Sequence, residues 1–275
     1  MLKKSTVFSG ILTIWSFIFF SMTVHGQKGD SKALEVLEKL QERYEESIEG
    51  IDDYVMEKEQ HTIYYKKAYD DGRPYFKTKT ENAGRMESAT AGNKDLYSQL
   101  SGQVKEKATY EGTGEVDGHH VHILHVDELE IDNLNDDPHV DNTIEDLFLY
   151  IDPGKWVVRQ MEYTVEFTDE NGEVREISPV IQNRDFRDVE GMKIPYETST
   201  TITGLTLTEE ERKEAEEGLD KFEENMEEMP EAQREMAKQM MGDRVKKYRK
   251  MLDENEYKSV TKVKEVRVNT GMEDF

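Results

Sequence analysis

Two stretches of the chain alternate between apolar and polar residues with the period of a β-strand. After Pro153, one face of an ideal strand carries a set of apolar residues: Val157, Met161, Tyr163, Val165 and Phe167. After Gly191, a second apolar face consists of Met192, Ile194 and Tyr196. Compact turn signals at residues 152–155, 169–172 and 188–191 separate such runs. The pattern predicts an antiparallel meander over residues 146–202, with one covered face and one wet face.

Apolar residues spaced three or four positions apart predict helices in two other regions. Residues 31–48 form the first, with Ser31 as its cap and a stripe made of Leu34, Leu37, Leu40, Tyr44 and Ile48. Residues 208–253 form the second, which Pro230 divides into two helices. Thr208 and Glu211 have the spacing of a capping box, and Met236 and Met240 lie on the apolar stripe of the second helix.

The remaining segments complete a mixed α and β layout. A hairpin is predicted from residues 51–67 and 75–86, a short helix at 94–100, and a strand at 118–126 followed by an acidic loop up to residue 143. A last strand is predicted at 257–268. The helical pair therefore interrupts the chain just before its final strand. We interpret it as an insert.

The first 26 residues have the features of a signal peptide. Lys3 and Lys4 precede an apolar run over residues 7–20, which at roughly 14 residues is shorter than a bilayer span of about 20. Val24 and Gly26 suit cleavage before Gln27. We expect residues 27–275 to form one exported domain. Since the chain has no cysteine, an exported fold must do without disulfides, and this favours a Gram-negative-type periplasm.

The charge balance excludes one class of partner. The chain has 60 acidic and 36 basic residues, a net charge of −24, and loss of the two lysines of the signal peptide makes it −26. Such a surface repels the phosphate backbone, so nucleic-acid binding is not expected.

Three segments each place turn residues before a strand: residues 116–118, residues 149–153 leading into 156–159, and residues 186–196 leading into a Thr-rich strand. Together they resemble the outer-membrane lipoprotein-sorting (LolA-like) superfamily of periplasmic carriers. The resemblance covers residues 31–202 and the last strand, whereas the acidic, Met-rich insert departs from it. It implies an α+β fold: an antiparallel curved sheet forming an incomplete β-barrel, with helices on its concave side. It also implies an apolar cavity that shelters acyl chains.

The expected function is a non-enzymatic periplasmic carrier for lipid or for the acyl chains of lipoproteins. The predicted cavity is lined by apolar residues of two strands and the insert: Val157, Met161, Tyr163, Val165, Phe167, Met192, Ile194, Tyr196, Met236 and Met240. The alternative for these residues is that they simply pack helices onto the sheet. The alternative function is an envelope protein–protein interaction or sensor module that uses the acidic insert.

Other candidate chemistry is weaker. His120 and His122 share a strand face within the segment His119–His125, but no third metal ligand is evident, so an exposed strand is favoured over a metal site. The acidic loop has Pro138 and Ile144 where an EF-hand needs Gly and Glu, which leaves at most loose calcium binding. No nucleophile, zinc or nucleotide motif is present, so neither an enzyme nor a cofactor is predicted.

Overall fold

The structure is a computed structural model that describes residues 30–59, 61–70, 72–81, 102–130, 140–168, 174–204 and 207–273. Several predicted features lie outside these residues: the signal peptide, the short helix at 94–100, the turn at 169–172 and most of the acidic loop. Among the described helices, none combines the length and the apolar character that a bilayer span requires.

Within the described residues, ten antiparallel strands form one curved sheet that does not close into a barrel. The strands are β1 (Asp53–Lys58), β2 (Thr62–Asp70), β3 (Arg73–Glu81), β4 (Ala108–Val116), β5 (His119–Glu130), β6 (Val140–Asp152), β7 (Val157–Thr168), β8 (Val174–Val189), β9 (Met192–Thr203) and β10 (Tyr257–Val268). Their order across the sheet is β3-β2-β1-β10-β9-β8-β7-β6-β5-β4. The predicted meander is confirmed as β6 to β9, and the last strand inserts between β1 and β9.

One predicted strand is wrong. The segment 51–67 is not a single strand, because the chain reverses after Lys58 and returns as β2. The amide of Lys58 donates to the carbonyl of His61, and Glu57 pairs with Thr62. The strand β4 was not predicted either. It pairs with β5, and a turn at Asp117 and Gly118, both of which have positive φ, joins the two strands.

Four helices are described: α1 (Ser31–Ser47), α2 (Gln103–Lys107), α3 (Glu209–Glu228) and α4 (Glu231–Glu254). Asp30, not Ser31, caps α1, since its carboxylate accepts a hydrogen bond of 2.7 Å from the amide of Lys32. Helix α1 lies across one face of the sheet, which we call the inner face. Its Leu37 and Leu40 are 1% exposed, as expected for the central residues of the predicted apolar stripe.

Two apolar clusters fill the space between α1 and the sheet. Cluster 1 joins α1 to β5, β6 and β7, and its buried residues include Leu37, Leu124, Leu149 and Val158. Cluster 2 lies at the other end of α1, where Ile48 packs against residues of β1, β3 and β9. The helix therefore covers part of the inner face by itself.

Helices α3 and α4 form a hairpin that we call the helical arm. Buried Met226, Val245 and Leu252 belong to it, and Arg249 of α4 forms ion pairs of 2.6–2.7 Å with two acidic residues of α3. Helix α4 contacts β10, but neither cluster contains a residue of the arm. The predicted helical insert before the last strand is thus present. It is α1, however, that packs the inner face.

Candidate ligand-binding face

The structure divides the predicted cavity residues between the two clusters. Val165 is buried in cluster 1, and Met161 and Tyr163 pack against that cluster. Met192 and Ile194 are buried in cluster 2, where Tyr196 packs against them. Met161, Tyr163 and Val165 of β7 thus belong to one cluster, and Met192, Ile194 and Tyr196 of β9 belong to the other.

Val157 does not share the face of Met161, because β7 contains a β-bulge. Val158 pairs with Ile151 and Gln160 pairs with Tyr150, which leaves Arg159 as the extra residue. The bulge reverses the alternation, so Val158 lies in cluster 1. Val157 pairs with Asp152 instead and is buried outside both clusters.

Of the two predicted methionines of the arm, Met236 belongs to neither cluster. Met236 is 60% exposed on α4. The side chains of Met240 and Phe167 lie outside the described part of the structure.

Burial of the inner face decreases across the sheet. One row of paired residues runs from Leu149 through Met161, Ile181 and Thr200 to Ser259. Leu149 is fully buried beneath α1, whereas the other four residues are half-buried. A parallel row pairs Pro179 with Ile202 and Ile202 with Tyr257. The sheet therefore keeps a partly uncovered region on the inner side of β7 to β10.

We call this region the open patch. It consists of the following half-buried inner-face residues: Met161, Tyr163, Ile177, Ile181, Asn183, Thr198, Thr200, Ile202, Tyr257, Ser259 and Thr261. Burial raises the pKa of the Tyr163 phenol, which keeps that group neutral. The sequence analysis missed the members on β8 and β10, although Ile177, Pro179 and Ile181 alternate there with a period of two.

No member of the open patch carries a charge, although 35% of the chain is charged. The outer face of the same strands is different. Lys258 and Lys262 are exposed there and alternate with half-buried inner residues of β10. Glu197 of β9 lies 3.4 Å from Lys262 and 3.9 Å from Arg184. The alternation thus places these charges on the outer face, whereas the open patch is uncharged. Two charged residues of β8 flank the patch on the inner face: Arg175, which alternates with Ile177, and Arg187, which pairs with Ile194.

A buried ion pair fixes the β6–β7 turn beside this face. Asp152 accepts hydrogen bonds from Arg159 Nε at 2.8 Å and from the amides of Gly154 and Lys155 at 2.7 and 3.1 Å. Burial opposes ionisation of Asp152, but these hydrogen bonds outweigh it, so the pKa of Asp152 lies below its ordinary value. With its oxygens engaged in this way, Asp152 has a structural role.

Two histidines of β5 each contact a different partner. His122 Nδ1 lies 3.0 Å from the hydroxyl of Tyr110, and burial and nearby Lys32 lower the pKa of His122. His125 Nε2 lies 2.7 Å from Asp146, and its ring stacks on Phe148. In the described ranges, no three His, Asp or Glu side chains converge as a metal site would require.

A cleft of about 400 Å³ opens at the edge of cluster 2. Apolar Ile51, Val189, Val266 and Val268 line it together with the polar residues Glu49, Glu190 and Asn269 and with Gly50. It shares no residue with the open patch.

The sequence matches no protein-family model. It also matches no curated protein. Two solved structures are similar to the chain, each with 88% of it covered. The first is a proposed outer membrane lipoprotein-sorting protein domain from Vibrio parahaemolyticus, with 12% identity, 94% of its own chain covered and a TM-score of 0.41. The second is a DUF1329 family protein from Desulfovibrio piger, with 10% identity, 95% of its own chain covered and a TM-score of 0.40.

Proposed function

We propose that the protein is an exported, non-enzymatic carrier that shelters the acyl chains of lipid or lipoprotein against the open patch. The single observation that supports this most is the uncharged, half-covered open patch in a chain with a net charge of −24. In this proposal the signal peptide is removed near Gly26, residues 27–275 work as one domain, and the protein acts in the periplasm.

The physical reason is the cost of leaving apolar surface wet. Met161, Ile181 and Ile202 lie on one face, and a bound chain would remove them from water together. Each buried methylene contributes about 0.8 kcal/mol, so a chain of a dozen methylenes contributes roughly 10 kcal/mol before the cost of ordering it. Met161 adds an adaptable thioether surface.

The proposal is tested by lipid release and uptake. Protein purified without detergent from a periplasm is extracted with organic solvent. The amount of lipid in the extract, measured by mass spectrometry, is compared with the amount of protein. The same protein is titrated with a fluorescent fatty acid. We expect lipid in near-stoichiometric amount and saturable uptake, whereas a clean extract with no uptake would contradict the proposal.

A matched pair of variants tests whether the ligand binds on the inner face. Ile181→Lys puts a charge in the open patch, and Val180→Lys puts the same charge on the outer face one residue away, where Val180 pairs with Glu162. We expect Ile181→Lys to abolish uptake and Val180→Lys to retain it, with both variants giving the same circular dichroism spectrum. Equal loss of uptake in both would contradict binding at the patch.

A second candidate is a protein–protein interaction module in which the helical arm binds an envelope partner. Two exposed apolar side chains of α4 favour it: Met236 is 60% exposed and Tyr248 is 42% exposed. Because Ile202 pairs directly with Tyr257, residues 205–255 can be replaced by a short turn without shifting the register. If the arm only binds a partner, this deletion keeps lipid uptake and removes partner capture.

A further inference from the structure

The open patch contains a line of hydroxyl groups that we call the hydroxyl band: Thr198, Thr200, Ser259 and Thr261. Thr198 pairs with Thr261 and Thr200 pairs with Ser259, so the four side chains form two adjacent pairs across β9 and β10. We propose that this band binds the ester group of an uncharged acylglycerol whose chain lies on the apolar part of the open patch. This inference rests on the proposed function and names the ligand class.

Each hydroxyl group of the band can still form a hydrogen bond with a ligand. Thr198 Oγ1 donates to Asn183 Oδ1 at 3.0 Å, and Asn183 in turn donates to the carbonyl of Val158 at 3.1 Å. This network orients Thr198, whose oxygen still has lone pairs that can accept. The hydroxyls of Thr200, Ser259 and Thr261 make no hydrogen bond to any other residue in the described ranges. All four residues are half-buried, so a ligand that covered them without hydrogen bonds would leave polar atoms unsatisfied.

The band lies between two apolar regions. On one side are Met161, Ile181 and Ile202, which are continuous with cluster 1. On the other side are Tyr196 and Val263, which pack against cluster 2. Neighbouring strands are about 4.8 Å apart, and residues on one face repeat every 6–7 Å along a strand, so the band is about as wide as one ester group with its glycerol carbons. A ligand with a polar centre and an apolar chain matches this order.

Charge selects among such ligands. The open patch itself contains no cation to pair with a phosphate or a carboxylate. Three cations lie at its edges: Lys58 opposite Val263, Arg175 next to Ile177 in the alternation of β8, and Arg187, which lies 4.0 Å from the centre of the Tyr196 ring. Arg187 already pairs with the carboxylate of Asp185 at 2.6 Å. The strongly negative chain also repels anions. Hydroxyls that donate to a carbonyl oxygen suit an uncharged ester, so we expect phosphatidylglycerol to bind more weakly than an uncharged acylglycerol.

The test compares two uncharged probes with the full-length mature protein: monoolein, which has an ester and a glycerol, and octadecane, which has neither. The variants are Thr200→Val and Thr261→Val, which remove a hydroxyl and keep the shape. We expect each to weaken monoolein binding by about two- to tenfold, as for loss of one neutral hydrogen bond, and to leave octadecane binding equal or tighter. Thr201→Val is the matched control, because Thr201 pairs with Lys258 on the outer face, and we expect no change.

The outcomes separate this inference from the proposed function. If the wild-type protein takes up neither probe nor a fluorescent fatty acid, the carrier function fails. If it takes up both probes and the two valine variants bind monoolein like the wild type, the hydroxyl band is not the ester site and this inference is overturned. Tighter binding of phosphatidylglycerol than of monoolein would also overturn it. So would binding of a diacylglyceryl-modified peptide at least tenfold tighter than that of monoolein.

Discussion

Two ion pairs of nearly equal length allow the effect of burial to be measured within one protein. Asp152 lies 2.7–2.8 Å from Arg159, and Asp117 lies 2.6 Å from Arg184. The side chains of the first pair are 5–8% exposed, whereas those of the second are 38–41% exposed. The perturbation is the same in both: Asp152→Asn and Asp117→Asn remove a charge and keep the shape.

The expected magnitudes differ because the partner left behind differs. In Asp152→Asn, the amide oxygen can still accept from the turn, but Arg159 keeps a buried positive charge without its carboxylate. Loss of one partner of a buried pair costs about 3–5 kcal/mol. In Asp117→Asn, solvent takes over the interaction with Arg184, and an exposed pair contributes about 0–1 kcal/mol.

Urea denaturation followed by circular dichroism measures both values as shifts in midpoint at constant slope. The double variant Asp152→Asn/Arg159→Met serves as a control, because removing the second charge should recover a large part of the loss. Two results would refute the reasoning: losses for the two single variants that agree within about 0.5 kcal/mol, or a double variant that is less stable than Asp152→Asn.

The pH dependence of stability tests whether ionised Asp152 stabilises the folded protein. The folded protein holds the pKa of Asp152 below its ordinary value, so the stabilisation from its ionised form is present above the unfolded pKa of about 3.9. That stabilisation is lost as the pH falls through the folded pKa. The difference between the wild type and Asp152→Asn should therefore be constant from pH 7 to about pH 5 and shrink below about pH 4.

Three further predictions concern the scaffold. Leu124→Ala empties a fully buried position in cluster 1 and should cost about 3–5 kcal/mol in chemical denaturation. Gly204→Ala should lower the free energy of unfolding by more than about 1 kcal/mol, because φ is +83° and the new Cβ would lie 2.5 Å from a backbone carbonyl of β8. In contrast, Gly218→Ala in the exposed middle of α3 should raise it by about 0.5–1 kcal/mol. The buried Asp53 carboxylate accepts hydrogen bonds from the amides of residues 270–272. Asp53→Asn should therefore speed hydrogen exchange of these three amides at least tenfold, and unchanged exchange would contradict this role.

The sequence predicted those elements whose pattern is local. The strands β6 to β9 have alternation and turn residues, and α1 has a stripe of period 3.6, so both were found. The reversal between β1 and β2 was missed because its connection, near Glu59, contains neither Gly nor Pro. The position of β10 between β1 and β9 could not be predicted from the sequence either, since strand order depends on pairing between distant segments.

The candidate site shows the same division. The alternation correctly grouped Met161 with Tyr163 and Val165, but the bulge at Arg159 has no sequence signature, and it moved Val157 to another environment. The separation of the inner face into two clusters depends on the course of α1, which periodicity does not give. The members of the patch on β8 could have been found, because Ile177 and Ile181 share a face in any regular strand.

The position of the helical arm explains how the inner face can stay open. An insert within β9 or β10 would break the ladder, but the arm joins two strands whose residues Ile202 and Tyr257 pair directly, so the sheet is complete without it. The arm buries its own apolar residues between α3 and α4 and makes its sheet contact through β10. The arm, with 16 acidic and 10 basic residues, carries only part of the net charge of −24, and the charges next to the open patch on β9 and β10, those of Glu197, Lys258 and Lys262, lie on the outer face. A strongly acidic chain can therefore keep one uncharged patch, which is the property that acyl-chain binding requires.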